Sequence, residues 1–374
     1  MKMKSKIKSF IMMLISLLVI AIIAFFGVIF YNEFVHSDIT SDVQEFISNM
    51  TVYGGGIDEN VAKPQIIEKT IDTLEPSKEN VKDDNQEIDK YYYSQLDEYS
   101  KKIYEAMYSN KENMKTGTYE INLGTQFSNL LSQSNGEELL GEYYQSAIEA
   151  YTYDNPDVFY IEFNKLYLNI ETTTRTNVKS YRVFINAGNN TNYLTKEFSS
   201  KEKIDTALNE IEKVEMYFTQ NQKENTYENI KSVHDYLVES IDYEQTISKD
   251  NIYNIYGALI NKECVCEGYA KSFKYLMDCL NIPCVVVAGK ATTSEGGTEN
   301  HAWNYVQIEH NWYAIDCTWD DPVIIGGGIV GNTTKYKYFL KGEKEFNESH
   351  FPSGQFTENG KMFEYPILSS TNYR

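Results

Sequence analysis

Two stretches decide the reading of this chain: ECVCEGYAKSFKYLMDCLNIP, residues 263–283, and HAWNYVQIEHNWYAIDCTWDDP, residues 301–322. In the first, Cys266, Ala270, Phe273, Met277 and Leu280 recur at three- and four-residue spacing, with Lys271, Lys274 and Asp278 on other faces. That spacing predicts an amphipathic helix that starts at about Cys266 and ends before Pro283. Cys266 then stands at the helix N-terminus, where the positive end of the macrodipole favours a thiolate. Gly268, in the first turn, costs about 1 kcal/mol of helix propensity against Ala, a cost that a close backbone approach would justify. A lone cysteine heading a helix is ordinarily a buried structural residue. The second stretch changes that reading.

His301–Ile308 alternates and reads as a strand, and Trp312–Cys317 reads as the next, joined tightly around Glu309–Asn311. With a two-residue turn at Glu309–His310, direct cross-strand partners sum to an odd number. His301, Trp303 and Tyr305 then share a face with Asp316, which falls opposite Trp303 and diagonal to His301, ~7–8 Å between backbones. A histidine held by a carboxylate and set beside a thiol has the parts of a cysteine nucleophile with its base and orienter. Cys266 is the expected nucleophile, His301 the general base and then acid, and Asp316 the orienter. Cys264 is the rival nucleophile, but it precedes the helix. His36, His310 and His350 fall in the stalk, at a turn tip and in a loop before Pro352. His234 lies beside the apolar stripe of a helix over Glu224–Ser240 and reads as a packing histidine.

These motifs resemble the transglutaminase-like superfamily, a group related to the papain fold. The matching pieces are VCEGYA at 265–270, HAWN at 301–304 and WYAIDCTWDDP at 312–322, with weaker echoes in SVHDYLVESIDYE at 232–244 and YKYFLKGEKEF at 336–346. DNPDVFYI at 154–161 resembles the companion region of bacterial exported members. The resemblance covers roughly 225–350. It implies an α+β fold in which a helix bearing the cysteine packs on an antiparallel sheet, with Cys266, His301 and Asp316 catalytic. It also implies acyl transfer from an amide through a thioester, without metal or other cofactor.

The rest of the chain sets the context. Lys2, Lys4, Lys6 and Lys8 precede an uncharged run of 22 residues, Phe10–Tyr31, long enough to span ~30 Å of hydrocarbon. No A-x-A cleavage site or lipobox cysteine follows, so the expected organisation is a cytoplasmic tail over 1–8 and a transmembrane signal anchor over 9–31, with the remainder outside the cell membrane. Beyond it stand 30 basic against 54 acidic residues, a balance of −24 that argues against nucleic acid as a partner. A disordered acidic stalk is expected over 32–88, a small α+β domain over 89–200 and the transglutaminase-like domain over 201–374. Within 89–200 the spacing predicts helices at Tyr91–Tyr108 and Glu137–Tyr153, and strands at Val158–Phe163, Leu166–Ile170 and Tyr181–Ile185. All five cysteines lie between Cys264 and Cys317 with no CxxC pair, and a Cys279–Cys284 disulfide is open. Protein or peptide at the cell surface or wall is the expected substrate.

Overall fold

The computed structural model describes residues 65–74, 88–245, 248–292, 297–321, 335–356 and 360–374. The expected membrane anchor at Phe10–Tyr31 lies outside them, and among the described residues no helix is long and apolar enough to cross a membrane. The described residues belong to one compact unit, Gly54–Arg374.

The first half of this unit is a four-stranded sheet with helices. Strand β1 (Ile66–Thr70) pairs in parallel with β3 (Tyr167–Arg175), and β3 pairs antiparallel with β4 (Val178–Asn186), whose other neighbour is β2 (Ile121–Gly124). Helix α1 (Glu98–Ser109) packs on β2 and on helix α2 (Gly136–Asp154). Three expectations change here. Part of the supposed stalk, Ile66–Thr70, is a strand, because an edge position needs backbone pairing more than it needs apolar residues. The helix expected over Tyr91–Tyr108 is broken. A short turn of helix covers Tyr91–Ser94, and α1 starts afresh where the Asp97 carboxylate accepts from the Tyr99 and Ser100 amides. Val158–Phe163 is not a strand; its one sheet-like contact is a bridge from Ile161 to Leu194, and its aromatic residues fill the core from turns. Burial on all sides had imitated strand composition.

The second half begins with α3 (Lys201–Gln220) and α4 (Thr226–Ser240), the latter capped by Asn225 accepting from the Tyr227 amide. A two-residue parallel ribbon joins Asp242–Tyr243 to Glu263–Cys264 and pins the chain just before the helix α5 (Cys266–Cys279). An antiparallel sheet follows in the order β8–β5–β6–β7, with β5 at Cys284–Thr292, β6 at Thr298–Ile308, β7 at Asn311–Ile315 and β8 at His350–Pro352. The antiparallel sheet with a cysteine-bearing helix is the α+β core the sequence implies.

Helix α5 is sandwiched between this sheet and the first half. Asn304 of β6 donates to Ala270 O at 2.9 Å and holds the helix to the sheet. The face carrying Lys271 and Lys274, expected in solvent, is buried as well. Its charges are neutralised within the helix, Lys271 by Glu267 at 2.6 Å and Lys274 by Asp278 at 2.5 Å. Tyr153 of α2 covers it, bonding to Glu267 and lying 4.9 Å beneath the Lys271 ammonium. A second tie joins the halves: Tyr92 OH bonds to Val286 O of β5, while the Tyr92 and Tyr93 amides donate to Asp154 at the end of α2. Residues 89–200 and 201–374 therefore share a core running from Tyr92 to Leu368.

Candidate active site

The hairpin sets the site. Glu309 and His310 have φ of 50° and 66°, the two left-handed positions of a two-residue I′ turn, here built without glycine. An even loop preserves the parity on which the position of Asp316 depends. Ile308 pairs with Asn311 and Asn304 with Ile315, so Asp316 lies one step past the ladder, opposite Trp303. β7 ends at Ile315, one turn of helix covers Cys317–Asp320, and Asp316 is its N-cap. The expected strand stops early because the Asp316 carboxylate turns back to accept the Thr318 and Trp319 amides on Oδ1, at 3.0 and 3.2 Å.

The other oxygen, Oδ2, accepts from His301 Nε2 at 2.8 Å. This is the His301–Asp316 contact expected from the hairpin. Burial disfavours both charges, but each stabilises the other. Asp316 is held well below the usual carboxylate range despite desolvation, through the charge and hydrogen bonds of His301 and His350. His301 is raised well above the ordinary imidazole value against the effect of burial, by the charge of Asp316, its hydrogen bond, and the interaction with Cys266. With Nε2 taken by Asp316, Nδ1 is the nitrogen left for a thiol, and it is buried without another partner. The structure thus brings all three expected residues together, and all three are buried.

Cys266 is the first residue of α5, after an extended Val265 and with no side chain capping the helix start. Gly268 explains itself: a Cβ there would lie 2.5 Å from Cys264 Cβ and 2.7 Å from Ile252 O. Cys264 spends its side chain on that packing, and burial pushes its thiol well up. Burial likewise raises the thiols of Cys284 and Cys317, and that of Cys279 to about 12. All five cysteines are free, so Cys279 and Cys284 are unbridged.

Sequence reasoning passed over His350. It is not in a loop but opens β8, and its Nε2 lies 3.0 Å from the same Asp316 Oδ2. The Phe351–Pro352 pair after it is a legible signal for an edge strand, where proline's missing N–H does no harm. Trp319 was also unassigned; its ring lies 5.1 Å from that of His301 and 4.7 Å from that of His350. His234 is the packing histidine expected, bonded to Asp235 and Asp320 at 3.2 and 3.1 Å and packed on Tyr336 and Phe339. His301, Asp316 and His350 also have the composition of a metal donor set, their atoms within 4.8 Å of one another. With both Nε2 atoms at hydrogen-bond distance from one oxygen, the arrangement is that of a hydrogen-bonded cluster; a cation would require both Nε2 protons to leave.

Comparison with known proteins agrees with this core. A 104-residue stretch is 34% identical to the kyphoscoliosis peptidase of Mus musculus and 32% identical to that of Homo sapiens. Each alignment covers 24% of this chain and 15% of the relative, so the chain spans a small part of those proteins. A solved structure described as that of a TGase is 16% identical, with a TM-score of 0.30 over 55% of this chain and 57% of that one. Residues 212–317, which contain Cys266, His301 and Asp316, match the transglutaminase-like superfamily and form the transglutaminase-like core of this chain.

Proposed function

We propose that this chain is a cysteine-dependent acyl-transfer enzyme acting on amide bonds of protein or peptide at the cell surface or wall, held there by a single membrane span over residues 9–31. The observation that carries the reading is the 2.8 Å hydrogen bond from His301 to Asp316 in a buried setting where Cys266 also interacts with His301. The Cys266 thiolate attacks the amide carbonyl carbon, and the carbonyl pair moves to oxygen. Collapse of that adduct breaks the C–N bond, the imidazolium of His301 protonates the departing amine, and a thioester remains on Cys266. Water or an amine, deprotonated by His301, then attacks the thioester and regenerates the thiol. Water yields hydrolysis and an amine yields a new amide; the name of the mouse and human relatives, a peptidase, supports the first. The four lysines before Phe10–Tyr31 support an outward-facing domain.

The test uses the full chain in detergent, measuring iodoacetamide alkylation of Cys266 alongside peptide release and incorporation of a labelled amine into casein. Fast alkylation that depends on His301, with one of the two products, is expected. Alkylation at the rate of an ordinary thiol, unchanged by His301→Ala, sinks the reading. One observation favours a second reading, a surface binding module that keeps the fold without turnover: Cys266 is 0% exposed and His301 1%. On that reading a Cys266→Ala strain keeps its surface phenotype.

A further inference from the structure

Asp316 Oδ2 serves two imidazoles, and the proposed reaction uses one of them. The other, His350, comes from the opposite edge of the sheet. On β5, which separates β8 from β6, Ala291 pairs with His350 and Gly289 pairs with His301. Both intervening residues are therefore small. A Cβ on Gly289 would stand 2.7 Å from Trp303 Cη2 and 2.3 Å from Phe351 O, so no side chain fits there. Across this bare strip the two imidazole centroids approach to 5.7 Å.

His350 is held on every side. Its ring stacks on Phe346 at 4.0 Å and 21°, meets Trp303 edge-on at 5.1 Å and packs against Tyr338 at 5.2 Å. Nδ1 lies 2.9 Å from Ser349 Oγ. The titratable groups directly facing it are Asp316 and His301, with Tyr338 in ring contact. Glu299 and Asp320 reach it only as charges near Asp316. Glu343, Lys344 and Glu345 before it, and Lys290 on β5, point to exposed surface. An imidazole in such an apolar, fully buried setting is disfavoured as a cation, and a neutral ring donating through Nε2 suits a carboxylate that must stay ionised.

We propose that His350 is a positioning residue: its Nε2–H fixes the Asp316 carboxylate and shares the charge that Oδ2 offers to His301. The inference rests on Cys266, His301 and Asp316 being the catalytic set. Asp316 is then oriented from both ends, by backbone amides on Oδ1 and by His350 on Oδ2, which leaves His301 one geometry to adopt. The shared charge also limits how tightly His301 keeps its proton, and His301 must release that proton to the departing amine.

The experiment compares H350F, which keeps a stacking ring without a donor, with H350Q, which returns an N–H near the Nε2 position. Both are read in the full chain by the pH dependence of Cys266 alkylation with iodoacetamide, and by kcat and KM for a casein-derived peptide. In H350F the alkaline limb, where imidazolium deprotonates, moves up by about 0.5–1 pH unit because Asp316 then acts on His301 alone. Its kcat falls about tenfold, the scale expected for an outer partner of an oriented imidazole, with KM unchanged. H350Q restores the limb to its wild-type position. An H350F limb at the wild-type pH, or equal losses in both variants without movement, overturns the assignment. His350→Leu carries the same comparison if H350F does not melt cooperatively. His301→Ala separates the two levels: if it leaves alkylation and turnover untouched, the catalytic reading itself falls. If it removes the pH dependence while H350F does not move it, only the role of His350 falls.

Discussion

The single turn Cys317–Asp320 carries a His–Asp pair at each end, and the two pairs have the same composition but different surroundings. At its start, Asp316 takes four donors: two amides, His301 and His350. Near its end, Asp320 takes two, the Tyr338 amide at 2.8 Å and His234 Nε2. Burial therefore wins at Asp320, whose carboxyl is pushed up to about 6, and loses at Asp316, which stays well below the usual range. The histidines differ in the complementary way. His234 has both nitrogens engaged by carboxylates, whereas His301 commits one to Asp316 and keeps Nδ1 for Cys266 chemistry. A histidine with nothing left to bond is a staple; one with a single held nitrogen can move a proton.

The largest effect that breaks this comparison is on turnover. His301→Ala is expected to lower kcat per folded molecule by about 10³–10⁴-fold, while His234→Ala leaves kcat per folded molecule intact. Thermal melts and active-site titration on the two variants measure both quantities. Equal kinetic damage at the two sites would end the distinction. Next is Asp316→Asn, where an amide offers the wrong tautomeric partner and kcat falls by about 10²–10⁴-fold; Asp320→Asn is kinetically silent by comparison.

A third expectation concerns stability, since His234→Ala strips the buried Asp320 carboxylate and the half-buried Asp235 of a partner and is expected to cost about 3 kcal/mol by denaturant titration. The pH dependence sharpens it. Asp320, raised in the folded state, lets the native protein hold a proton that the unfolded chain has lost, so its contribution falls as pH rises from about 4 to 6. Asp316, lowered, contributes above its unfolded value and loses that contribution as pH falls through its folded one. Asp320→Asn should flatten the decline of Tm between about pH 4 and 6. An unchanged slope would mean that other raised carboxyls, such as Asp154 and Asp321 at about 6, control it.

Much of the first pair was legible in the sequence. Helical spacing placed Cys266 at a helix start, and strand parity placed Asp316 on the face of His301, because both depend on neighbours within one helix or one hairpin. What was not legible depends on partners distant in the chain. His350 reaches Asp316 across two intervening strands, and no local period announces that. The burial of Lys271 is set by Tyr153, more than a hundred residues earlier, and α5 alone reads as a surface helix. Asp97 split the Tyr91–Tyr108 helix through a capping preference that the apolar spacing overrode. The turn at Glu309–His310 was legible only as a tight connection: its two-residue length entered as a condition, since neither residue favours positive φ. The smallest prediction follows: replacing Glu309–His310 by Asn-Gly should stabilise the fold by about 0.5–1 kcal/mol, seen as a rise in Tm, and leave kcat unchanged. A loss of activity would show that the register is more fragile than the parity implies.

The strand that delivers His350 has another consequence. β8 is the outer strand of its sheet and carries Pro352, which has no amide hydrogen to offer. It covers the side of β5 away from β6 at Ala291, Lys290 and Gly289. A fragment cut at the limits of the family match, 212–317, would lack it and leave the backbone of Gly289, Lys290 and Ala291 unpaired on that side, in line with the apolar run Val285, Val286 and Val287. Such a fragment is expected to self-associate through β5, so the same three residues that position a carboxylate also keep the sheet from growing onto a neighbour.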